Sequence, residues 1–328
     1  MMVASRRRRP HVCFAWLCIS LILGSGCIIL AGCNSGSTTI DETSRAYPTS
    51  QSNCRCTTTF KATNRFERVL IIVLENCDYK EAIADDYLHQ LMQKGAYFSN
   101  FHGLFHPSYS NYLAMVAGKD IVTHFDWQVD LKNVCSIADL LVSKGLDWKN
   151  YAQGYPEPDE LNAYPNRCYT NDRRGRYARK HVPFMSFSSI QDDEEKCSHI
   201  ASAGQFDKDR KNLPAYMFYT PDLDNDGHDT SLKFASTWLK GFLDPLLDDE
   251  AFMKKTLIVV TFDESRNESP AFLNHIYTVF LGGMVQPDKE VKGRYNHFNV
   301  LRTIEENFGL CPLGEGDGGA KPIVGVWK

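Results

Sequence analysis

Short apolar runs separated by helix-period segments dominate the chain beyond residue 66. Val69–Leu74 is an unbroken apolar run of the kind a strand shows when both of its faces are buried. Residues 80–94 read as a helix and Ala96–Phe101 as a short strand. Ser110–Ala117 and Ile137–Lys144 read as helices stopped by Gly118 and Gly145, with a further strand near 148–152. Strands at Tyr216–Tyr219, Thr256–Thr261 and His275–Leu281 follow, with helices near 230–243 and 298–308. Alternating apolar strands and helices predict an α/β fold: a mainly parallel central sheet with helices on both faces. Residues 155–212 break the alternation. They are polar and rich in charge, too long for a simple connection, and read as a cap-like insertion.

The N-terminus has a different pattern. Arg6–Arg9 form a basic cluster, and an uncharged, mostly apolar run extends from Val12 to Gly32. This is the layout of a secretory signal. The run is also long enough for an uncleaved anchor. Leu30-Ala31-Gly32-Cys33 resembles a bacterial lipobox, which implies a lipoprotein signal at 1–32 and a lipidated Cys33 holding the chain at a membrane. Each alternative (lipoprotein, anchor or plain secretion) puts the folded part outside the cytoplasm. Residues 33–60 are rich in Ser and Thr and read as a tether, which leaves 61–328 as the folded domain.

Composition adds two points. The 328 residues are 43% hydrophobic and 23% charged, ordinary for a globular chain, with a net charge of −4. The leader carries four arginines and no acid, so the chain without it stands at −8. That sign excludes a general nucleic-acid binder. Beyond Cys33 seven cysteines remain, at 54, 56, 77, 135, 168, 197 and 311. In an oxidising compartment some pair, and an odd number leaves at least one over. Cys54 and Cys56 are too close to bridge each other comfortably. Cys77 and Cys135 also fit the pattern of small buried hydrophobes.

Polar residues follow directly where the strands stop. The first apolar run ends in Glu75-Asn76 and the run at 256–262 ends in Asp263-Glu264. In a parallel sheet such residues gather at one edge, where ligands bind. Gathered carboxylates repel one another unless a cation sits among them. Asp222–Asp229 adds several acids and His228, which suits a transition metal better than calcium. Ser108 stands just before a helix, where it either caps the helix or meets an anionic ligand.

Together HPSYSNYLAMVAG, NDGHD, VTFDES and NHFNVLRTIEENFGL resemble the phosphoesterase family of secreted acid phosphatases and phospholipases C, within the alkaline-phosphatase-like superfamily. The resemblance covers roughly Glu67 to Leu310. It implies Ser108 as nucleophile and Asn111 as a donor to phosphate oxygen. Glu75, Asn76, Asp263 and Glu264 would hold one metal with Ser108. Asp226 and His228 would hold a second, with His297 as a third ligand and Asp224 as an alternative carboxylate. His275 is a further candidate. YARKHVPF brings Lys180 and His181 toward the substrate, and His228 or His106 would protonate the leaving oxygen. Cys168 and Cys197 look like a bridge that holds the insertion. The cofactor implied is one or two divalent ions drawn from zinc, calcium, manganese or magnesium.

The expected activity is metal-dependent hydrolysis of phosphate monoesters through a phosphoserine. The substrate would be a small phosphate ester, a phosphoinositide or another phospholipid head group. Two alternatives stay open: a phospholipase C-type phosphodiesterase, and a non-catalytic surface lipoprotein on the same fold. Oligomeric state is not legible.

Overall fold

A computed structural model describes residues 54–121, 127–268 and 273–328 of the chain. The expected signal at 1–32, lipidated Cys33 and most of the tether lie outside the described residues. No described helix is long and apolar enough to cross a membrane.

Eight strands form the main sheet: β1 (Arg68–Leu74), β2 (Ala96–Phe98), β3 (Trp148–Ala152), β4 (Ile200–Ser202), β5 (Tyr216–Thr220), β6 (Thr256–Phe262), β7 (Thr278–Leu281) and β8 (Lys289–Val291). Their spatial order is β8-β2-β7-β6-β1-β5-β3-β4. All neighbours run parallel except β7, which is antiparallel to both β6 and β2. The named helices are α1 (Tyr79–Ala84), α2 (Asp86–Lys94), α3 (Ser108–Ala117), α4 (Ile137–Ser143), α5 (Leu232–Leu247), α6 (Glu250–Lys255) and α7 (His297–Phe308). The mainly parallel α/β architecture read from the pattern is the one observed.

The central strands are buried along almost their whole length. All seven residues of β6, and every residue of β1 after Arg68, are buried. Each such Val, Leu or Ile contributes about 1.5–3 kcal/mol by leaving water. The register pairs Leu74 with Phe262, so Glu75 and Asp263 emerge side by side from adjacent strands. The Asp263 N–H donates to the Leu74 carbonyl across that gap at 3.1 Å. β5 flanks β1 on its other side and delivers the Asp222–Asp229 loop to the same edge.

Four elements differ from the pattern, among them the strand expected over Ala96–Phe101, which ends in the main sheet at Phe98 and resumes at Phe101–His102 in a small sheet. The helix expected over 80–94 breaks at Asp85, whose carboxylate caps α2 by accepting from the N–H groups of Tyr87 and Leu88. The strand expected over His275–Leu281 divides. His275–Ile276 joins a small sheet with Phe101–His102 and Tyr295–Asn296, and the rest joins the main sheet as β7. The 155–212 segment holds a two-stranded hairpin and short helical turns, but it also returns to the main sheet as edge strand β4.

Disulfides tie the outer segments down. Cys168 pairs with Cys197 inside that segment. Cys54 pairs with Cys135 and Cys56 with Cys311, so the described end of the expected tether is pinned to the domain at two points. Cys135 is therefore not the small buried hydrophobe it also resembled. Cys77 is the free, buried thiol among the described residues.

Candidate active site

Ser108 opens α3, a helix whose ten residues are all buried. Gly118 ends it in the left-handed region, where an added Cβ would strike the Asp317 carboxylate. The Ser108 hydroxyl lies 3.2 Å from Glu75 Oε2 and 3.3 Å from Glu264 Oε1. It therefore faces the ends of both β1 and β6. Tyr112, one helical turn on, donates its hydroxyl to Glu75 Oε1. His106 Nδ1 lies 3.0 Å from Glu264 Oε2.

Asn76 adopts a left-handed backbone, which asparagine tolerates better than most residues. Its N–H donates to Asp263 Oδ1 at 3.1 Å and its amide to Glu75 Oε2 at 3.3 Å. His181 comes from the 155–212 segment. Its Nε2 lies 3.3 Å from Glu75 Oε1 and its Nδ1 3.2 Å from Asp226 Oδ2. The His181 ring stacks on Tyr112, with centroids 4.9 Å apart. Ligand atoms of Glu75, His181 and Asp226 all lie within 4.8 Å of one another.

Electrostatics set this cluster apart. Burial and the charges of Asp263 and Asp226 push Glu75 well above the usual carboxylate range, while nearby Lys180 opposes the rise. Burial and Glu264 do the same to Asp263. Burial also raises Asp226. Asp263 Oδ2 has no hydrogen-bond donor among the described residues although the residue is fully buried. Crowded, buried carboxylates with an unsatisfied oxygen are what a divalent cation relieves, and the donor set of carboxylates, an amide and an imidazole fits one. His106 is held above the ordinary histidine range, first by its bond to Glu264.

Several residues stand elsewhere than expected. Asn111 is engaged within the protein. Its Nδ2 donates to the Phe105 carbonyl (2.9 Å) and Glu264 Oε2 (3.3 Å), and its Oδ1 accepts from the N–H groups of Leu104 and Phe105 (2.8 and 3.0 Å). It clamps the loop that carries His106. His228 does not join Glu75 and Asp226, where His181 stands instead. Its Nδ1 lies 2.7 Å from Asp229 Oδ1, and its backbone N–H donates to Asp226 Oδ1. His297 Nε2 donates to the backbone carbonyl of Asp263 at 2.8 Å. Burial lowers its pKa to about 4, and its Nε2 contact props the Asp263 backbone. Asp224 pairs with Arg176 at 3.1 Å. His275 stacks between Tyr79 and His102. Tyr112 was not singled out from the sequence, although its spacing of four from Ser108 places both on one helix face.

The cleft over Ser108 has a volume of about 860 Å³ and is walled in part by Pro107, Gly227, His228, Glu264 and Arg266. The family profile of phosphoesterases matches residues 74–311, which includes every residue of this cluster. The chain belongs to the phosphoesterase family.

Among relatives, a probable acid phosphatase of Kluyveromyces lactis is 38% identical over 268 residues, covering 79% of this chain and 62% of that protein. An acid phosphatase of Aspergillus fumigatus is 36% identical over 265 residues, covering 78% and 58%. A phosphatidylinositol-3-phosphatase of Mycobacterium tuberculosis is 32% identical over 270 residues, covering 80% and 83%. The chain spans about three fifths of the length of the fungal relatives. A solved protein of the alkaline phosphatase superfamily from Vibrio parahaemolyticus shares the fold, with a TM-score of 0.56 at 13% identity over 81% of this chain and 73% of that one.

Proposed function

We propose that this phosphoesterase-family chain hydrolyses phosphate monoesters with Ser108 as nucleophile. The observation that carries the reading is a buried serine hydroxyl facing two carboxylates at the floor of an open cleft, with an imidazole beside one of them. The names of the fungal relatives support it.

Glu75, Asn76, Ser108, Asp263 and Glu264 would hold one divalent ion, and Glu75, His181 and Asp226 offer a second set. A divalent cation bound there lowers the pKa of the serine hydroxyl and offsets the charge of the entering phosphoryl group. Ser108 Oγ attacks phosphorus as its proton leaves toward the Glu75–Glu264 carboxylates, and the ester P–O bond breaks. His106, whose pKa Glu264 raises, would give a proton to the departing oxygen. The now neutral His106 takes a proton from the water that cleaves the phosphoserine. Asn111 fixes the His106 loop, and His297 fixes the Asp263 backbone. Lys180 moderates the negative charge of Glu75, and His181 lies between Glu75 and Asp226.

A phosphoinositide head group is the more specific substrate reading, supported by the name of the mycobacterial relative and by the size of the cleft. Export, with attachment through Cys33, belongs to the same proposal. Three disulfides support it, since such bonds persist in oxidising compartments.

The test compares p-nitrophenyl phosphate with bis(p-nitrophenyl) phosphate, with and without chelator. The expected result is turnover of the monoester that stops on chelation and returns with added divalent ion. Faster cleavage of the bis-ester would favour the phosphodiesterase alternative. Turnover of neither would leave the binding-only alternative standing.

A further inference from the structure

The cleft is larger than a phosphoryl group requires, because 860 Å³ is near the upper end of cavities that enclose whole drug-sized ligands. Its charged lining residues are nearly all engaged. Arg266 Nη1 pairs with Glu81 at 3.0 Å. His228 pairs with Asp229. The Asp85 carboxylate accepts from Tyr87, Leu88 and the Ser236 hydroxyl. Glu264 serves Ser108, Asn111 and His106. Glu268 belongs to the His106 side, where its charge helps to raise that imidazole's pKa.

Of the lining lysine and arginine, Lys233 is the one without an ion pair among the described residues; Glu268 has none there either. Lys233 lines the same cleft as Ser108. The wall that carries it is well held. Thr230 donates to the Asp224 carbonyl, and the Ser231 hydroxyl caps α5 by accepting from the Phe234 N–H. The side chain is long and solvated, but its backbone origin is fixed.

Resting on the phosphatase reading above, we propose that Lys233 is a specificity-determining residue that binds a second anionic group of the substrate. The preferred substrate class is then a small ester with two phosphates, or one phosphate and a phosphodiester, rather than a simple monophosphate. An unengaged ammonium on the wall of the cleft that holds Ser108 is attractive to a second phosphate and indifferent to a neutral leaving group. The same chemistry is available from a soluble bisphosphate and from a phosphoinositide head group.

The experiment measures kcat and KM for fructose 6-phosphate, fructose 1,6-bisphosphate and phosphatidylinositol 3-phosphate in phosphatidylcholine vesicles, on the full chain. The wild type should prefer a two-anion substrate. Lys233→Ala should reduce that preference about fivefold, the size of one exposed ion pair, mainly through KM. Lys233→Arg should restore it, and added salt should weaken it. A loss confined to the sugar arm assigns a soluble bisphosphate, and a loss confined to the vesicle arm assigns the lipid head group. Unchanged preference in both arms of Lys233→Ala overturns the assignment, as does a loss that Lys233→Arg does not restore. A wild type that hydrolyses fructose 6-phosphate without preferring either two-anion substrate overturns this inference alone. Failure to hydrolyse any of the three overturns the phosphatase reading and this one with it.

Discussion

Asn111→Ala separates two roles for one side chain. Asn111 is fully buried and makes four hydrogen bonds, three of them to the backbone of Leu104 and Phe105. A net hydrogen bond contributes about 1 kcal/mol, and stranding a buried partner costs about 1–3 kcal/mol. Leu104 and Phe105 are only half-buried, so water replaces part of the loss. The expected destabilisation is about 3 kcal/mol, read as a lower urea midpoint with unchanged slope. The loop should also shift, carrying His106 away from Glu264, so kcat should fall more than KM rises. A different result refutes the clamp. If Asn111→Ala unfolds at the wild-type midpoint and weakens only inhibition by inorganic phosphate, the amide is a phosphate donor after all.

Two further outcomes follow from features outside the cleft. Glu305 is buried in α7, and burial first, then Asp317, raises its pKa to about 10. The folded state keeps its proton while the unfolded state releases it near the ordinary value. Its contribution is therefore complete at acid pH and declines as pH rises from about 4.5 toward 10. Glu305→Gln should flatten that decline, so its Tm should exceed the wild type's more at pH 9 than at pH 5; equal differences at both would contradict the assignment. Replacing Cys56 and Cys311 together by serine opens a bridge that spans 255 residues, and should cost about 2–5 kcal/mol in a denaturant titration. A loss well below 1 kcal/mol would show that the pinned N-terminal segment contributes little.

The sequence was informative where burial leaves a one-dimensional trace. Val69–Leu74 and Thr256–Thr261 read as buried strands because nothing polar interrupts them. Glu75 and Asp263 then stood out because each ends such a run. The rest depended on contacts that no local pattern encodes. His181 lies in a segment without periodicity, so its place between Glu75 and Asp226 was not readable, and His228, nearer in sequence to Asp226, took its role on paper. The partners of Cys54 and Cys56 are set by tertiary packing, and spacing cannot choose them. The clamp of Asn111 on residues 104 and 105 has no local trace, because it exists only once the loop has folded over α3. Glu305 sits in a run of polar residues that resembles a solvated face, yet it is fully buried.

The central claim is that Ser108 forms the covalent bond to phosphorus. Its direct test is acid quenching of the enzyme during turnover of a ³²P-labelled phosphate monoester, followed by mass analysis of the Ser108 peptide, in wild type and Ser108→Ala. The account predicts acid-stable phosphoserine at Ser108 in the wild type. It also predicts no label and a loss of turnover of at least about a thousandfold in the variant, as expected when a nucleophile is removed. Full activity in Ser108→Ala, or label on another residue, would contradict it.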